Sequence, residues 1–280
     1  MTPIIFIVLV ACIVLGFVFY LLGRYKVKQR EARLVSSLYT VSDAANTALQ
    51  IPTDLPAPVF RYLTQALPQS SKAIRQVVLE QSGQIRTSTS SKNWLEFSAK
   101  QVISPLAKGF VWNAKVKLPL ATQLQVLDSY CAGVGSGAVS LFSALTVSAA
   151  ADVPQLNSGA LHRYLAEAVW YPTALLPQFG IVWEAIDDRT AVATLSDHGI
   201  SVALEFRFNE ADEVVGIYSP GRFARFGDEY KKVAWEGHFR HYQRHCGFLI
   251  PSQGEVGWYD DEKLLLVWKG VLSNVQILTG

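Results

Sequence analysis

The chain has 280 residues, 50% hydrophobic and 17% charged, with a formal charge of +2. That is enough for a sizeable core in one large domain or two small ones, and too large to need a disulfide framework. Arg24, Lys26, Lys28, Arg30 and Arg33 all follow the first apolar run. Without them and Glu31 the chain carries 20 basic and 22 acidic residues, which excludes a nucleic-acid partner.

The first element is "PIIFIVLVACIVLGFVFYLLG", from Pro3 to Gly23, which has no charged residue. About 20 such residues span ~30 Å of hydrocarbon as a helix. A cleaved signal peptide would have a basic start and a shorter apolar core, so the run is read as a retained single-pass span. "LVAC", ending at Cys12, resembles a lipoprotein cleavage box, but no basic residue precedes it and the apolar run continues past it. The basic flank "GRYKVKQREAR" places the amino terminus outside and the large domain in the cytoplasm, with a periplasmic domain as the alternative.

Residues 24–54 read as a helical stalk and linker, without Pro or Gly until Pro52 once Gly23 is passed. "VFRYLTQAL" then puts Val59, Leu63 and Ala66 along one side of a short helix that Pro68 closes. From there to residue 280 the hydrophobic period changes to two. About ten short strands follow, separated by turns such as "DDR", "NEADE" and "YDDEK". Strands so closely spaced pair antiparallel. The expected domain, 55–280, is therefore mainly β: a curved antiparallel sheet or half-barrel with a covering helix, preceded by a transmembrane helix and stalk.

That covering helix lies in "LHRYLAEAVWYPTALLP". Leu161, Tyr164, Leu165, Ala168 and Val169 form its apolar stripe, Asn157 or Ser158 its cap, and Pro172 its end. Arg163, Glu167 and Trp170 share another stripe. An exposed Arg163/Glu167 pair is worth only ~0.3 kcal/mol, and a tryptophan there would be wasted in water. This side is expected to be covered by a loop, a second strand layer or a ligand; the plainer reading is that the pair ties helix to sheet while Trp170 fills a gap in the core. The candidate lining is Arg163, Glu167, Trp170 and Tyr171, with Trp112 and Trp235 from strands.

Other motifs carry less. "HFRHYQRH" is histidine-rich, but on a strand no pair of His238, His241 and His245 chelates, so no metal is expected. In "GVGSGAVS" the glycines miss the nucleophile-elbow spacing around Ser136, and a strand follows, so a glycine-rich hairpin is preferred over a dinucleotide loop. Cys131 and Cys246 leave room for one disulfide. The paired aspartates Asp187/Asp188 and Asp260/Asp261 belong to hairpin turns.

"RYLAEAVWYPTALLP", "FRYLTQALP", "FVWNAKVKL", "SPGRF" and "AWEGHFRHYQRHCGFLIPSQGEVGWY" resemble a bacterial family known as a domain of unknown function, over about residues 55–272. The resemblance implies a β-rich domain similar to the half-barrels of periplasmic lipoprotein carriers, and it implies no catalytic residue. The sequence thus favours a membrane-anchored, non-enzymatic module, without cofactor, that binds a lipid or acyl chain in a cleft. Arg163 would meet an anionic headgroup. The alternatives are a scaffold with a solid core, or a hydrolase for which no spacing joins serine, histidine and carboxylate.

Overall fold

The computed structural model describes residues 3–39, 49–69, 72–120, 122–226 and 229–280. Among these residues the alternation and turn chemistry produce thirteen strands rather than about ten, all antiparallel neighbours in one sheet. In chain order these are β1 (Ile74–Ile85), β2 (Leu95–Ser104), β3 (Gly109–Lys117), β4 (Gln123–Cys131), β5 (Val134–Leu141) and β6 (Leu145–Ala151). After a helical segment come β7 (Ile181–Asp187), β8 (Thr190–Asp197), β9 (Ile200–Phe208), β10 (Val214–Phe226), β11 (Glu229–His245), β12 (Phe248–Asp260) and β13 (Lys263–Thr279).

The spatial order is β6-β5-β4-β3-β2-β1-β13-β12-β11-β10-β9-β8-β7. The single long-range pairing, β1 with β13, joins two meanders. β6 and β7 are the free edges, so the sheet curls without closing, as a half-barrel. Three hairpins turn on two residues that both have positive φ, Ala132–Gly133, His198–Gly199 and Cys246–Gly247. That backbone matches the right-handed strand twist, and glycine adopts its second position without strain.

The chain crosses from one free edge to the other over the concave face. Helix α3 (Pro154–Glu167) starts three residues after β6, and short 3₁₀ turns carry the strap through Phe179 to β7. Pro154 at the first turn sets the start, so the helix begins four residues before the expected Ser158. Asn157 does not cap it. Its side chain accepts from the Gly135 amide and donates to Asp152, pinning the helix to β5. The apolar stripe behaves as read: Leu161, Tyr164, Leu165, Ala168 and Val169 are all buried in the main core. Helix α2 (Ala57–Ala66) buries Val59, Tyr62, Leu63 and Ala66 in the same core and ion-pairs Arg61 with Asp188 and Asp212.

Helix α1 runs unbroken from Pro3 to Ser37, ~52 Å at 1.5 Å per residue. Among the described residues it is the one helix long and apolar enough to cross a membrane. Its last turns are part of the domain's packing. Leu38, just beyond its end, is buried against Val102, Val111 and Leu127 on the convex face. Residues 40–48 of the expected stalk lie outside the described residues.

Candidate functional site: a tryptophan-lined cavity under the strap

The site begins with a row set by strand register. Gln101 on β2 lies opposite Trp112 on β3, and Trp112 lies opposite Asp128 on β4. Strand alternation puts all three on the concave face, beneath α3. One helical face delivers Arg163 and Glu167 onto this row. Arg163 donates from Nε to Glu167 Oε1 (2.7 Å) and from Nη1 to Asp128 Oδ2 (3.2 Å). Its guanidinium lies 4.8 Å from the Trp112 ring centroid and 4.9 Å from that of Phe110.

The other oxygen of Glu167 accepts from Gln101 Nε2 at 2.6 Å. Gln101 Oε1 accepts from Gln81 Nε2 at 3.0 Å, and Gln81 Oε1 accepts the Trp112 indole N–H at 2.8 Å. The result is a buried polar ladder from the helix to the sheet, with each link satisfied. Burial works against the Arg163 charge, but Glu167 and Asp128 outweigh it and hold its pKa above the ordinary value. Asp128 goes the other way: burial raises its carboxyl, and Arg163 and Arg222 offset this only in part.

Arg222 faces this cluster from the opposite half of the sheet. A bulge in β10 between Ser219 and Arg222, at Pro220–Gly221, shifts the register against β11. Proline donates no ladder hydrogen bond, so it is tolerated at such a bulge, which re-aims the next side chain. The Arg222 guanidinium sits 4.4 Å from the Trp235 centroid and 5.0 Å from that of Trp258. Its charged form is disfavoured by burial first and by Arg163 second.

Between these groups lies a cavity of about 180 Å³, lined by Trp112, Trp170, Trp235, Trp258, Trp268 and Phe239, with Arg163, Glu167 and Arg222 at its polar end. Five of the chain's seven tryptophans therefore converge on one space, which a merely space-filling use of the residue would not require. The indole N–H groups of Trp170 and Trp235 are buried without a hydrogen-bond partner, an arrangement native interiors seldom leave unanswered. A second cleft of about 300 Å³ runs between α3 and β5–β6 and shares Asp128, Arg163, Arg222 and Trp258 with the cavity.

The structure brings Arg163, Glu167, Trp170, Trp112 and Trp235 around this cavity. Tyr171 does not line it. It is fully buried, donates to the Tyr164 carbonyl at 2.6 Å and packs on the Tyr164 ring. Sequence reasoning missed Arg222, Asp128, Gln81 and Gln101. Only the bulge-forming "SPGR" carried a local signal, since the rest depends on register between distant strands.

The one possible disulfide is not formed, and all three cysteines are free. Among the described residues no group of three or more His, Cys, Asp or Glu could hold a metal. Among the described residues neither His162 nor His238 bonds a serine side chain. His162 bonds the Ser158 carbonyl, and His238 bonds Glu236.

Fold and site together define a half-barrel domain with an aromatic cavity closed by a helical strap. The chain belongs to a family of unknown function, DUF6920, whose model matches residues 53–276. No curated protein matches it. Among solved structures it is similar to a LolA superfamily protein from Nitrosomonas europaea. That match has a TM-score of 0.39 and 10% identity, over 79% of this chain and 92% of that one. It is also similar to a beta-barrel-like protein of the domain of unknown function DUF1849 from Brucella abortus, with a TM-score of 0.21 and 10% identity. Coverage there is 74% of this chain and 99% of the other.

Proposed function

We propose that the protein is a membrane-tethered binding module that holds a hydrophobic, chain-like amphiphile in the tryptophan-lined cavity under α3. One observation carries this reading: five tryptophans line a single cavity of about 180 Å³, and two of their indole N–H groups have no partner. Apolar burial would drive binding at ~0.8 kcal/mol per methylene. The cavity alone holds only part of a long chain, so the rest of the guest would follow the adjoining cleft past Arg163 and Arg222. Helix α1, exposed along its apolar run, would hold the domain at the bilayer.

The test uses a plug. Ala166 lines the cavity, so Ala166→Phe fills it from the helix side. Full-length wild type and variant are purified in the same detergent, extracted, and their lipids quantified by mass spectrometry. The wild type is expected to retain an amphiphile that the variant lacks. Identical lipid content in two folded proteins would mean that the retained lipid is annular and that the cavity binds none.

A further inference from the structure

The apolar run of α1 ends at Gly23, where the helix meets the sheet. A Cβ on Gly23 would collide with the carbonyl oxygen of Ala144, in the turn between β5 and β6. A groove beside this contact is lined by Phe19 and Leu22 from the helix, by Phe142 and Leu145 from the hairpin, and by Lys26 and Arg30 about one and two turns below. The hairpin tip is thus level with the last apolar turn of α1.

That tip is built against the usual rules for a solvated turn. Phe142 and Ser143 occupy left-handed backbone, φ +52° and +56°, where glycine or asparagine is the ordinary choice. Phe142, Leu145 and Val147 are 45%, 63% and 57% exposed. The neighbouring β3–β4 turn ends at the same level, because the Phe142 amide donates to the Gln123 carbonyl. It carries Leu120, also left-handed at φ +61°, with 95% of its surface exposed. Bulky apolar side chains held outward by strained turns are costly in water and suited to a hydrocarbon boundary. Just below, Lys26, Arg30 and Arg33 make no ion pair among the described residues, which leaves them for phosphate groups.

We propose that the β5–β6 turn, the start of β6 and Leu120 enter the interface of an anionic bilayer beside α1, seating the half-barrel edge-on against the membrane. This rests on the reading of α1 as a membrane span. The occupant is the lipid surface itself, because these side chains continue the apolar surface of the same helix.

Depth measurement decides it. The full-length chain, with its cysteines replaced by serine, receives one nitroxide label at Phe142→Cys, Leu145→Cys or Leu120→Cys. Each is reconstituted in phosphatidylcholine–phosphatidylglycerol vesicles. Val14→Cys, inside the apolar run, reports the span. Leu278→Cys reports water, because its strand neighbour Gln76 bonds Tyr39 at the far end of α1. Labels at 142, 145 and 120 are expected to collide more with oxygen than with a nickel chelate, as at 14, and the label at 278 the reverse. Leu120→Cys keeps the test valid if a hairpin variant misfolds, since its side chain packs on almost nothing. If 142, 145 and 120 behave like 278 while 14 stays in lipid, docking is wrong and the anchor stands. If 14 is in water, both fall.

Discussion

Arg222 on β10 donates from both Nε and Nη2 to one acceptor, the carbonyl oxygen of Gly159 on α3, at 3.2 and 2.9 Å. One helical turn along, Arg163 is held by two carboxylates, Asp128 and Glu167. The same strap is therefore fastened to one half of the sheet by an ion-pair network and to the other by a cation resting on a carbonyl and two indoles.

These fastenings should respond differently to removal. Arg163→Met leaves two partly buried carboxylates without their cation and is expected to cost about 3–5 kcal/mol. Arg222→Met breaks no direct ion pair and takes only a more distant cation from Asp128 and Glu167, so it should change stability by about 1 kcal/mol. Urea unfolding of the full-length variants measures both, and equal losses would show that Asp128 and Glu167 depend on Arg222 as much as on Arg163.

Acid should loosen the strap through His162. Burial, then Arg222, lower its pKa to about 4, while the Ser158 carbonyl pulls the other way and Lys232 adds to the depression. An unfolded histidine titrates near ~6.5. Between these values the unfolded chain binds a proton that the folded chain refuses, so stability falls as pH drops through that window and levels off below it. The full effect is on the order of 3 kcal/mol. His162→Gln should flatten the pH dependence of the urea midpoint between pH 7 and the acid end. An unchanged slope would assign the effect elsewhere.

The junction of α1 with the domain makes a third expectation. Leu38 is 1% exposed and packs in its own cluster on the convex face. Leu38→Ala should destabilise the whole half-barrel by about 2–4 kcal/mol. A merely flexible leash would tolerate the change, and a loss below ~0.5 kcal/mol would indicate such a leash.

A fourth concerns the cavity itself. Ala166→Phe extends into existing space rather than into packed atoms, so its stability should stay within about 1 kcal/mol of wild type. Overpacking elsewhere in the core would cost ~1–3 kcal/mol. A larger loss, read from thermal unfolding, would mean the cavity walls do not yield to a ring.

What the sequence disclosed follows a physical division. The apolar run at the amino terminus, the helical stripe at Leu161 to Val169 and the two-residue alternation of the strands are local periodicities, legible without partners. The covering of Trp170 was legible as well, because Arg163, Glu167 and Trp170 share one stripe; the ring is 2% exposed against Phe239 and Trp268. The identity of the cover was not. Asp128 and Gln101 meet α3 only because β2, β3 and β4 pair in one register, and Gln81 joins them from β1. Tyr171 was misplaced because the 3₁₀ turn from Ala168 to Trp170 rotates it away from the stripe that carries Trp170. The disulfide that the sequence left room for is not made, because Cys131 sits against the end of α1, bonded to the Leu34 carbonyl, while Cys246 is exposed in the β11–β12 turn.

Because α3 joins β6 to β7, the cover is sewn to both rims of the cup. It has no free end on which to swing, and a hinge at one rim would still be held at the other. A guest of the kind proposed would therefore enter by flattening the curl of the sheet, which spreads the rims and draws the strap taut, or by sideways passage beneath it. On that reading access would be a matter of how far the sheet bends, and a cross-link stiffening the sheet far from the cavity would slow exchange as surely as one placed at its mouth.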